Sequence, residues 1–123
     1  MKVFIVDDSA VVRERLRAML SELTEIEIIG EARAPLEVKN SVRKVKPDAV
    51  ILDIRMPGGS GIDVLQNIKK DKPAPIVIIL TNYPYPQYRK KCMDAGADFF
   101  FDKSTEFDKI TEVFKQLIQD SHT

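Results

Sequence analysis

Ala49-Val50-Ile51-Leu52-Asp53 is the stretch whose reading decides the fold: an unbroken apolar run closed by a carboxylate. Such a run, with no polar alternation, suits an interior strand of a parallel sheet covered on both faces. Lys2-Val3-Phe4-Ile5-Val6 has the same character and leads into Asp7 and Asp8. If both runs are parallel strands of one open α/β sheet, Asp7, Asp8 and Asp53 emerge at one edge, where such sheets bind ligands. Gathering them is costly, because two like charges about 4 Å apart repel by roughly 1 kcal/mol in water and roughly 4 kcal/mol at an effective dielectric near 20. The cluster therefore demands a cation or a protonated member. Hard oxygen ligands suit Mg2+, which keeps positions for water or a phosphoryl oxygen, so the acids read as a Mg2+-dependent phosphoryl site.

Outward from these runs the pattern alternates between strand and helix. Residues 26–29, 76–80 and 99–101 are further runs rich in β-branched or aromatic side chains. Between them, helical spacing recurs in Val12, Leu16, Met19, Leu20 and Leu23, then in Val38, Val42 and Val45, and in a shorter set, Ile62, Leu65 and Ile68. Phe107, Ile110, Phe114, Leu117 and Ile118 form the last stripe. Pro35 can open the second helix and Pro86 the fourth, since a first-turn position loses nothing by lacking an amide proton. Thr105 and Asp108 form a candidate capping box for the fifth. The expected fold is a doubly wound (βα)5 with right-handed crossovers and a five-stranded parallel sheet. By analogy with flavodoxin-like folds of strand order 2-1-3-4-5, the switch point falls between the first and third strands, those that end in the acids.

A length of 123 residues suits one domain with one core, so residues 1–123 are expected to form a single unit. With 44% hydrophobic and 31% charged residues the composition is that of an ordinary globular protein. Lys plus Arg and Asp plus Glu each count 19, which leaves no basic signature for direct nucleic-acid binding. A strand follows Met1 at once, with no charged leader or long apolar segment, and the expectation is a cytoplasmic protein without membrane contact. Cys92 is the sole cysteine, which excludes an intramolecular disulfide and a thiol metal cluster. With Tyr88 and Ala95 at helical spacing it reads as a small packed residue. His122, in a polar terminal segment, reads as solvent-facing. Gly58, Gly59 and Gly61 read as a turn after Met56-Pro57, not as a P-loop, since no Gly-Lys-Ser/Thr follows.

Several separate motifs now stand in order: Asp7-Asp8-Ser9, Asp53-Ile54-Arg55-Met56-Pro57 leading to Gly61, Leu80-Thr81, and Ala95-Gly96-Ala97-Asp98 before Phe100 and Lys103. In this order and spacing the chain resembles, over essentially its whole length, the CheY-like receiver domain of two-component response regulators. The resemblance implies that Asp53 is the phosphoacceptor, taking a phosphoryl group from a sensor histidine kinase, a histidine phosphotransfer protein or a small phosphodonor. It implies Mg2+ ligation by Asp8 and Asp53 directly, by Asp7 largely through water, and by the backbone carbonyl of Arg55. Thr81 would hydrogen-bond a phosphoryl oxygen and Lys103 would supply positive charge beside it. Phosphorylation would draw Thr81 inward and let Phe100 rotate inward, altering the face of the fourth helix, fifth strand and fifth helix that meets a downstream protein. The chain would act as a monomer or a phosphorylation-dependent dimer, and would catalyse only its own aspartyl phosphorylation and dephosphorylation. Val11, Arg15 and Ala18 on the first helix are the expected kinase-docking patch.

The departures from the family pattern are specific. Phe100 lacks the hydroxyl of the tyrosine often found there, which implies a softer switch. Asn82, Pro84 and Pro86 imply a stiffer loop after Thr81. Tyr83 and Arg55, each two residues past a site residue, are the positions expected to govern access of water to the phosphoryl group. Ser104 stands where many relatives have proline, which leaves the isomer of the Lys103-Ser104 bond open. A haloacid-dehalogenase-like phosphohydrolase is excluded because its second Asp, two residues after the nucleophile, is missing, and a flavin site lacks its Ser/Thr/Gly loop. A start at Met1 and a short polar tail favour a single-domain regulator over the input domain of a transcription factor or hybrid kinase. The complete set of Asp7, Asp8, Asp53, Thr81 and Lys103 argues against an interaction module without phosphotransfer.

Overall fold

A computed structural model describes residues 1–56 and 59–121; the turn expected at Pro57-Gly58 and the placement expected for His122 lie outside them. One parallel sheet is built from β1 (Lys2–Val6), β2 (Glu27–Ala32), β3 (Ala49–Leu52), β4 (Ile76–Thr81) and β5 (Phe99–Asp102), in the order β2-β1-β3-β4-β5. The helices are α1 (Ala10–Leu20), α2 (Pro35–Val45), α3 (Gly61–Lys70), α4 (Pro86–Asp94) and α5 (Lys109–Ser121). This is the expected doubly wound order, and Pro35 and Pro86 each open a helix as expected. No helix among the described residues is long and apolar enough to cross a membrane.

Strand alternation divides the apolar residues between two cores. Phe4, Val6, Val50, Leu52, Val77, Ile79 and Phe100 pack with Val38 and Val42 of α2, Leu65 and Ile68 of α3 and Cys92 of α4. Val3, Ile5, Ala49, Ile51, Ile78 and Leu80 pack with Leu16 and Leu20 of α1 and Ile110 and Phe114 of α5. Cover on both faces is why β1, β3 and β4 carry no polar alternation. The edge strands β2 and β5 are only half-buried over most of their length. Phe99 and Phe101 lie on the α5 side, opposite Phe100, with their rings stacked at 6.1 Å between centroids.

Several local expectations are corrected. β2 runs on to Ala32 because its edge position tolerates Gly30 and Glu31, and Gly30 gives room to Phe4: an added Cβ would stand 2.5 Å from that ring. α1 ends at Leu20, and Leu23 packs on the core from beyond it. α5 begins at Lys109, so Thr105 and Asp108 form no capping box; the Thr105 hydroxyl donates instead to Asp102 at 3.0 Å. Arg55–Met56 pairs antiparallel with Gly59–Ser60, two strands too short to leave a periodic signal.

The backbone that carries the acids is fixed at close range. Val6 pairs with Leu52, and the Asp53 amide donates to the Val6 carbonyl at 3.0 Å, so Asp7 and Asp53 leave the sheet side by side. α3 starts almost on top of this segment: a Cβ on Gly61 would stand 2.0 Å from the Asp53 carbonyl oxygen, so only glycine fits. The Gly61 amide donates to the Ile54 carbonyl at 2.8 Å, and Ser60 caps the helix through the Ile62 amide.

Candidate functional site

Asp7 and Asp53 are buried, whereas Asp8 is exposed. One oxygen from each of the three carboxylates lies within 4.8 Å of the others. Lys103 reaches in from the end of β5 and donates to Asp7 Oδ2 at 2.7 Å and Asp53 Oδ2 at 3.1 Å. The remaining oxygens are used locally: Asp7 Oδ1 accepts from the Ser9 amide at 2.9 Å, and Asp53 Oδ1 from the Arg55 amide at 3.4 Å. Ser9 also caps α1 through the Val12 amide, so one turn both starts the helix and orients Asp7.

Burial pushes the Asp53 carboxyl above its ordinary value; Lys103 pulls it down and Asp7 pushes it up again, and the net direction is upward. For Lys103, burial opposes the charge, but the hydrogen bond to Asp7 and the charges of Asp53 and Asp7 outweigh it and raise its pKa. The site therefore holds a fixed cation between two buried acids, with Asp8 toward solvent. Three hard oxygen donors, one of them exposed, fit a divalent ion such as Mg2+ that retains water. Cys92 takes no part: burial pushes its thiol up to about 11.

Thr81 ends β4 beside this cluster, fully buried, with its hydroxyl accepting from the Tyr83 amide at 2.9 Å. Its carbonyl accepts from the Lys103 amide at 2.7 Å, which ties the two strand ends together. Lys103-Ser104 is a trans bond; the cis bond found among the described residues is Lys72-Pro73. Phe100 is buried, facing inward, with the Arg89 guanidinium 5.6 Å from its ring centroid and bonded to its carbonyl at 3.3 Å. Arg55 and Tyr83, separate in sequence, meet: the guanidinium lies 4.4 Å from the ring centroid. On α1, Val11 and Ala18 are exposed, while Arg15 covers the Phe107 ring at 3.8 Å.

Two groups of supporting residues went unforeseen. Arg13 donates to the Asp7 carbonyl at 2.7 Å and pairs with Glu31 of β2 at 3.3 Å, bracing the acidic turn from behind. Asp102 gathers the loop after Lys103, and hydrogen bonds from the Ser104 hydroxyl and amide hold its carboxyl below the usual range. The Arg13 group depends on β2 lying beside β1, which no spacing announces; the Asp102 group is local, and Asp102, Ser104 and Thr105 at i, i+2 and i+3 are the signal that could have found it.

Residues 3–115 match the sequence model of the response regulator receiver domain, and the chain belongs to that family. It is 35% identical over 122 residues to a protein-glutamate methylesterase/protein-glutamine glutaminase of Hydrogenovibrio crunogenus, a match covering 99% of this chain and 30% of that protein. The chain spans about a third of the length of such curated relatives. Among solved structures it is similar to the response regulator domain of Thermotoga maritima CheB, with 27% identity and a TM-score of 0.84 over 98% of this chain and 94% of that one. The CheX-CheY-BeF3-Mg+2 complex of Borrelia burgdorferi matches with 28% identity and a TM-score of 0.79, covering 93% of this chain and 89% of that one.

A carboxyl whose pKa is raised by folding makes its contribution to stability at low pH and loses it as pH rises through the ordinary value to the raised one. At neutral pH the Asp53 charge is thus a net cost, while Asp7 still retains Lys103 if Asp53 is neutralised. Without metal, Asp53→Asn should be more stable than the native chain at pH 7, with a higher Tm. The advantage should shrink as pH falls below the carboxylate range, which thermal melts across a pH series will measure.

Proposed function

We propose that this receiver accepts a phosphoryl group on Asp53 from a phosphohistidine of a sensor histidine kinase or histidine phosphotransfer protein. The observation that carries the reading is the buried Asp53 carboxylate, bridged by Lys103 to Asp7 and flanked by Asp8. A carboxylate oxygen of Asp53 attacks phosphorus as the P–N bond to the donor imidazole breaks. The bonding pair stays on the imidazole nitrogen, which takes a proton from solvent. Aspartate suffices as nucleophile because phosphoryl transfer needs mainly alignment and charge neutralisation.

Asp8, Asp53 and the Arg55 carbonyl, with Asp7 acting through water, are the groups that would hold Mg2+, which when bound neutralises charge on the phosphoryl oxygens. The similar complex from Borrelia burgdorferi, CheX-CheY-BeF3-Mg+2, includes that ion and supports the same choice. Lys103, already held as a cation, places positive charge where the phosphoryl charge gathers. The Thr81 hydroxyl, which accepts from the Tyr83 amide, donates its own proton to a phosphoryl oxygen. That new bond pulls on the loop before α4 and so alters the α4-β5-α5 surface offered to a downstream protein, whereas Phe100, expected to rotate inward, is already buried before any phosphoryl group is bound. Val11 and Ala18, with Arg15 on Phe107, offer the donor protein a face next to the acids.

A second reading concerns the output. The methylesterase/glutaminase relatives match this chain over only part of their length, which favours a receiver that governs a neighbouring effector domain; a stand-alone regulator would govern a separate protein. In both cases the chemistry of these residues ends at Asp53.

Incubation with Mg2+ and phosphoramidate should add the mass of one phosphoryl group to the native chain and none to Asp53→Asn. An unmodified native chain would return it to the class of interaction modules. The Arg55–Tyr83 contact should shield the product from water. A cation–π contact of about 0.5–1 kcal/mol corresponds to a roughly two- to five-fold faster loss of the phosphoryl group in Arg55→Ala or Tyr83→Ala, with no further gain in the double variant, as phosphate release will report.

A further inference from the structure

Lys103 owes its position to its neighbours. Just before it, Asp102 closes β5, pairing with Thr81 of β4. The Asp102 carboxylate turns forward over the loop: Oδ1 accepts from the Ser104 amide at 2.9 Å and the Ser104 hydroxyl at 2.7 Å, and Oδ2 from the Thr105 hydroxyl at 3.0 Å. The same residue is tied on its backbone, because its amide donates to Glu106 Oε1 at 3.0 Å and its carbonyl accepts from the Glu106 amide at 2.8 Å. Lys109 completes the set by donating to Glu106 Oε2 at 2.9 Å. Both residues flanking Lys103 are therefore fixed, and its own amide is fixed to Thr81. This clamp is assembled on a trans Lys103-Ser104 bond.

The geometry points to Asp102 as a positioning residue: its carboxylate, by clamping Ser104 and Thr105, holds the Lys103 ammonium between Asp7 and Asp53. The chemistry it serves rests on the phosphoacceptor reading above, but the effect on metal binding does not. Lys103 bonds one oxygen each of Asp7 and Asp53, two of the three acids that would hold a divalent cation, so a loosened Lys103 competes less for their charge and Mg2+ binds more tightly. Loss of the Asp102 charge acts in the opposite direction, since removing a nearby anion weakens cation binding. Tightening therefore reports release of Lys103 and not the change in net charge.

The test uses the whole chain with Asp102→Ala, Asp102→Asn, Lys103→Ala and the Asp102→Ala/Lys103→Ala pair. Mg2+ affinity is measured by calorimetric titration and maximal phosphoryl uptake from phosphoramidate by mass spectrometry. Asp102→Ala should tighten Mg2+ several-fold, in the direction of Lys103→Ala, and slow uptake about ten-fold, a loss of roughly 1.4 kcal/mol in transition-state stabilisation. In the Lys103→Ala background the same change should do neither, because the two residues act through one ammonium. Asp102→Asn, which keeps one acceptor for Ser104, should lie between. Native Mg2+ affinity in Asp102→Ala, or an equal additional effect in the Lys103→Ala background, overturns the clamp. If the native chain takes up no phosphoryl group, the phosphoacceptor reading fails while the metal titration still decides the clamp.

Discussion

One ammonium group holds the functional end of this protein together. Lys103 satisfies oxygens of Asp7 and Asp53 at 2.7 and 3.1 Å, all within a buried setting. Without it, two carboxylates leaving adjacent strands would face each other unpaired. Breaking a buried ion pair from one side commonly costs about 3–5 kcal/mol, because a charge is left without compensation. The sheet order, the helix starts and the loops at this edge all serve to deliver these charged groups to one place. The site is thus poised: its own cation makes the acids tolerable, and a divalent ion with a phosphoryl group would complete the balance.

That poise explains the close packing behind it. β1 and β3 are paired through the residue before each acid, which sets Asp7 and Asp53 side by side. Gly61 lets α3 begin against the Asp53 carbonyl, and Ser9 starts α1 while its amide orients Asp7. Arg13, set against Glu31, braces the Asp7 carbonyl from β2. Ser9 and Arg13 act on Asp7 from within a few residues, whereas the β1–β3 pairing and the Arg13–Glu31 contact join distant parts of the chain, so the placement of Asp7 beside Asp53 is a property of the assembled sheet.

The readability of the sequence follows from this division. β1, β3 and β4 are unmistakable because full cover on both faces removes polar residues from them, and the acids that end β1 and β3 mark the edge. The helices announce themselves by apolar spacing, and Pro35 and Pro86 mark where α2 and α4 begin. What stays hidden is local hydrogen bonding with more than one candidate partner. Thr105 can cap a helix or bond Asp102, and the start of α5 at Lys109 leaves it the latter. Arg55 and Tyr83 each stand beside a site residue, but their stacking depends on β3 and β4 being neighbours. Membership of the receiver family is visible in the ordered motifs, whereas the output partner is written in no motif of these residues.

The most direct measurement is a stability cycle in metal-free protein at neutral pH, read by urea unfolding. Lys103→Met alone should lose about 3–5 kcal/mol, the cost of leaving buried carboxylates unpaired. Placed on Asp7→Asn/Asp53→Asn, where no buried charge awaits it, the same change should lose far less. An equal loss in both backgrounds would mean that Lys103 contributes packing alone, and would contradict the claim that this ammonium makes the clustered acids possible.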